Sequence, residues 1–141
     1  MSLPDRPKAE ELGRGLRRVR DSIQKQESGA EDGAKKVWFQ GTEPYLDAIF
    51  EIGAAGLRWF QVTVRGRSLT WDAQKGFLVT GHTGELAVDG PLAPASKTIS
   101  ADVEGDRAVV QAIAWMFAAR RDEAPFDSAL SVLMARLGES P

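Results

Sequence analysis

A chain of 141 residues with 43% apolar and 27% charged content has the size and make-up of one globular domain with a single sizeable core. Its formal net charge of -2 gives no global pull toward nucleic acid or anionic membrane, and the absence of cysteine removes disulfides, thiolate metal ligands and thiol nucleophiles together. No run reaches the ~18 apolar residues of a spanning helix, "MSLPDRPKAEELGR" lacks the apolar core of a secretory signal, and the single histidine, His82, is too few for a histidine-based metal site. The expectation is a cytoplasmic chain with no cofactor, no metal and no membrane association.

The first element is a helix over residues 7 to 27. Leu12, Leu16, Val19 and Ile23 fall at spacings of four, three and four, a narrow seam of the kind that zips onto another helix or a groove. Gly13 and Gly15 weaken it by about 1 kcal/mol each relative to alanine. "RGLRRVR" (14 to 20) gathers arginines on this helix, but Glu10, Glu11 and Asp21 interleave them, so a solvated face fits better than a nucleic-acid site. "GRG" (13 to 15) has no strand before it and is no nucleotide loop. "ESGAEDGAKK" (27 to 36) is small, polar and glycine-bearing, and reads as a flexible linker. The chain therefore divides into an arm and linker (1–34) and a single α+β domain (35–141).

Residues 37 to 81 alternate aromatic and β-branched residues with polar ones, the pattern of a five-stranded antiparallel meander. The turns are "GTEP", "GAAG", Arg65-Gly66 and "AQKG". A two-residue loop at Arg65-Gly66 sets Val64 against Arg67, Val62 against Leu69 and Phe60 against Trp71. Three-residue loops at Ala54 to Gly56 and Ala73 to Lys75 extend this to two rows: Phe50, Phe60, Trp71, Phe77 and Ala48, Val62, Leu69, Val79. Those rows define a core face, continued by Val37 and Phe39.

Neighbours on a strand point to opposite faces, so Trp59 must leave the face that Phe60 occupies. Its companions on the outer face are Asp47, Ile49, Glu51, Gln61, Thr63, Ser68, Thr70, Asp72, Leu78 and Thr80, with Trp38, Gln40 and Tyr45. Large aromatics among glutamines and threonines have the composition of a contact surface. Asp47 and Glu51 lie about 13 Å apart, beyond the carboxylate spacing of glycosidases. Asp72, Gln61 and Thr70 form a possible polar cluster.

"GHTG" (81 to 84) matches no phosphate-loop pattern and reads as a turn. Two prolines in "DGPLAPAS" (89 to 96) argue against regular structure. Two helices follow, one from about Asp106 to Arg121 and one from Pro125-Phe126 to Gly138. Val109, Val110, Ile113, Met116 and Phe117 form a stripe suited to the core face, while Trp115 lies on the opposite side and is expected to meet Phe126, Leu130, Leu133 and Leu137 of the last helix.

The fold class is α+β: an N-terminal helix, a meander and two C-terminal helices on one sheet face. The functional expectation is a non-catalytic adaptor or regulatory subunit that binds another protein or a second copy of itself. Trp38, Tyr45 and Trp59 are its anchors, and Gln40 and Gln61 its orienting polar groups. Leu12, Leu16, Val19 and Ile23 are its helix-side knobs. The rival is a small enzyme or ligand-binding protein with a pocket near His82, using Asp72 or Glu85.

Overall fold

The structure is a computed structural model that describes residues 2–19, 34–83, 99–101 and 106–138. Seven antiparallel strands lie in sequence order in one sheet: β1 (Arg17–Arg18), β2 (Lys35–Gln40), β3 (Asp47–Gly53), β4 (Gly56–Val64), β5 (Arg67–Asp72), β6 (Phe77–Thr83) and β7 (Ile99–Ala101). Among the described residues, helices α1 (Arg6–Arg14), α2 (Arg107–Ala118) and α3 (Phe126–Leu137) join the sheet in an α+β fold. The sheet thus gains two short strands, β1 and β7, over the five expected.

The N-terminal helix is shorter than the heptad pattern predicts. Asp5 caps it by accepting a 3.0 Å hydrogen bond from the Lys8 N–H, and the helix ends at Gly15. Gly13, near that end, marks a close approach. A Cβ there would lie 2.0 Å from the Met116 carbonyl oxygen, so glycine lets the backbone of α1 press directly on α2. Leu16 then enters the core. Arg17 and Arg18 pair with Gln40 and Phe39, and the Val19 N–H donates to the Trp38 carbonyl at 2.7 Å. An open sheet edge offers backbone partners that a lone helical turn lacks. Ile23 and most of the expected linker lie outside the described residues, while Lys35 and Lys36 belong to β2.

Two register predictions match the structure and one does not. Val64, Val62 and Phe60 face Arg67, Leu69 and Trp71, and Phe50 and Ala48 face Phe60 and Val62. The first hairpin reaches its register by another route. Gly53 pairs with Gly56 across a two-residue loop, and a bulge at Arg58 adds back the missing residue. On β6 the expected register is wrong by one: Trp71 faces Leu78, Leu69 faces Thr80, and Asp72 faces Phe77. The cause is a four-residue loop. Asp72 Oδ1 accepts from the N–H groups of Gln74 (2.9 Å) and Lys75 (3.0 Å), and Gly76 closes the turn at φ +72°. A slip of one residue reverses every side chain. Leu78 and Thr80 therefore sit on the core face, and Phe77 and Val79 on the outer one.

The core is aromatic. Phe39, Phe50, Phe60, Phe117 and Phe126 form a cluster with centroid separations of 4.8 to 6.1 Å, and Trp71 joins it at 5.6 Å from Phe60. Asp106 caps α2, accepting from the Ala108 and Val109 N–H groups, and its own N–H donates to Thr80 Oγ1 at 2.7 Å. The last helix is anchored by Phe126 against Phe117 and the sheet, and Trp115 is half-buried against the core. Arg120 joins the parts. Its guanidinium donates to the carbonyls of Gly13 and Leu16, both at 2.8 Å, pairs with Glu123, and stacks 4.7 Å over Phe126. The end of α1 is thereby fastened to the turn before α3.

Candidate functional site

The alternation that began at Trp59-Phe60 divides the sheet as geometry requires. Phe60 is fully buried beneath the helices. Trp59 stands half-buried on the other face, which no described helix covers. Strand pairing lines up one row across this outer face: Lys36, Glu51, Trp59, Asp72 and Phe77. The next row is Trp38, Ile49, Gln61, Thr70 and Val79. A third, toward the Arg65-Gly66 end, runs Gln40, Asp47, Thr63, Ser68 and Gly81.

The three rows differ in exposure. Thr63 and Ser68 are each 1% exposed, so the third row is closed at its centre. The first row is open, and a half-open depression of about 180 Å³ lies on it, lined by Lys36, Glu51, Arg58, Trp59, Asp72 and Gln74. Trp59 therefore has a carboxylate directly opposite it on each neighbouring strand. Phe77, 38% exposed, lies one strand beyond Asp72. At about 4.8 Å per strand, Trp59 and Phe77 are roughly 10 Å apart.

Cations on long stems attend Trp59, Phe77 and Glu51. The Lys36 ammonium lies 5.9 Å from the Trp59 ring centre, and that of Lys75 lies 5.9 Å from the Phe77 ring centre. Arg58, the bulged residue, bonds Glu51 Oε2 through Nε at 2.7 Å and Nη2 at 2.6 Å. Gly53 makes room for that stem, since a Cβ there would meet Arg58 Cδ at 3.1 Å. The Gln61 amide donates to Thr70 Oγ1 at 3.1 Å, but Asp72 caps its own turn instead of joining them.

Of the residues named from the sequence, Trp38, Trp59 and Gln61 share adjoining rows. Gln40 is exposed two places along β2, and the Trp38 indole N–H is buried without a partner. Tyr45 stands elsewhere. It is 56% exposed in the loop between β2 and β3, in the left-handed region at φ +62°. That loop is pinned at Glu43, whose carboxylate takes two bonds from Arg65, at 3.0 and 2.7 Å. Those bonds, opposed in part by desolvation, hold the Glu43 carboxyl below its usual range. Leu12 and Leu16, 1% and 3% exposed, are core residues and present nothing to a partner. Val19 is half-buried beside β2, and Ile23 lies outside the described residues.

Lys36, Arg58, Gln74 and Phe77 were not anticipated. Lys36 falls in the stretch that reads as linker. Phe77 was placed in the core by the shorter loop, although Asp72 and Gly76 already carry the signals of the longer one. His82 is an exposed residue of β6 opposite Arg67, not among those lining the depression, and Glu85 lies outside the described residues.

No group of three His, Cys, Asp or Glu side chains suited to a metal occurs among the described residues, and no described helix is long and apolar enough to cross a membrane. No protein-family model, curated protein or solved structure matches the chain.

Proposed function

We propose that the chain is a protein-interaction module, an adaptor or regulatory subunit, whose contact surface is the outer sheet face around Trp59. One observation carries the reading. The three described helices bury their apolar residues in the core on one side of the sheet, while two large aromatic residues, half-buried Trp59 and exposed Phe77, share a single row on the other. Aromatic residues in shallow pockets commonly dominate interface energetics. Trp38 and Gln61 extend the surface along the sheet, and Gln40 adds an exposed amide at its rim. The N-terminal seam drops out, because Leu12 and Leu16 are internal. The absence of cysteine supports a reducing, cytoplasmic setting.

Trp59→Ala tests the reading. Affinity capture and sedimentation with the intact chain should retain a partner, or a self-associated form, that the variant loses while its melting temperature holds. A variant that melts normally and retains every partner refutes the assignment of this face.

A further inference from the structure

We draw no further inference here: the strongest candidate, the half-open depression around Trp59 on the outer sheet face, has a charge-balanced lining, Lys36 and Arg58 against Glu51 and Asp72, and nothing in the structure shows what covers it.

Discussion

Gly13→Ala makes the packing of α1 measurable. In an exposed helix this change stabilises by about 1 kcal/mol, because glycine surrenders more backbone freedom on folding. Here the added methyl carbon would lie 2.0 Å from the Met116 carbonyl oxygen and 2.7 Å from its carbon. Neither is the loose end of a side chain, so α1 has to shift off α2. Overpacking of this kind costs about 1–3 kcal/mol. Complete undocking sets the ceiling, since it exposes Leu12 and Leu16, each worth about 1.5–3 kcal/mol of burial. Set against the propensity gain, the net expectation is a loss of up to about 2 kcal/mol, or up to roughly 4–8 °C in melting temperature for a chain of this size. Thermal unfolding followed by circular dichroism reads it directly. Gly15→Ala is the control, because the nearest atom to its Cβ would be the end of a side chain, the Thr42 methyl at 3.0 Å, with the Glu11 and Leu12 carbonyl oxygens at an ordinary 3.6 and 3.7 Å, and its φ of -86° suits alanine. If Gly13→Ala raises the melting temperature as an exposed glycine would, α1 does not rest on α2 and its apolar seam returns as a candidate contact surface.

Three further outcomes follow from the contacts. Arg120→Ala removes the donor shared by the Gly13 and Leu16 carbonyls and should cost about 2–3 kcal/mol in denaturant unfolding; a change below about 0.5 kcal/mol would show that the joint is ornamental. The Asp106 carboxyl is held below its ordinary range first by its hydrogen bond from Arg67, and also by the capped N–H groups of α2. A depressed carboxyl contributes stability that is complete above its unfolded value, about 4, and is lost as pH falls through the folded one. Stability should therefore decline below about pH 4, with a shallower decline in Asp106→Asn; identical acid profiles would contradict the assignment. Tyr45→Asn should stabilise by about 0.5–1 kcal/mol, because asparagine tolerates the left-handed backbone at φ +62°, and a loss instead would mean that the phenol ring makes a contact the fold needs.

How much of this was readable in the sequence depended on whether a pattern was local. The split between Trp59 and Phe60 needed only the alternation of a strand, and the pairing of Phe60 with Trp71 needed only the Arg65-Gly66 turn, so both were legible. At Asp72 the decision between a three- and a four-residue loop rested on one carboxylate folding back onto two N–H groups, and the wrong choice carried Phe77 from the outer face to the core. The bulge at Arg58 had no signal of its own. It compensated for a miscounted loop, and the right register emerged from two departures that cancelled. The fate of Leu12 and Leu16 was not local at all. Their spacing suits a partner helix, but Gly13 against Met116 and Arg120 on the helix end bring α1 into the chain's own core across more than a hundred residues of sequence. The site inherited these limits: its central tryptophan was visible, while the lysine, arginine and phenylalanine around it depended on where β2 starts, where β4 bulges and how β5 turns into β6.

The central claim is that the helix-covered sheet face holds the protein together and that the region of the other face around Trp59 serves contact rather than the core. Denaturant unfolding of Trp59→Ala beside Phe60→Ala tests it most directly. Phe60→Ala should lose about 3–5 kcal/mol, as for a fully buried phenylalanine, and Trp59→Ala no more than about 1 kcal/mol. Equal losses at the two positions would mean that the indole is as much a part of the core as the phenyl ring, and would contradict the division on which the proposed surface stands.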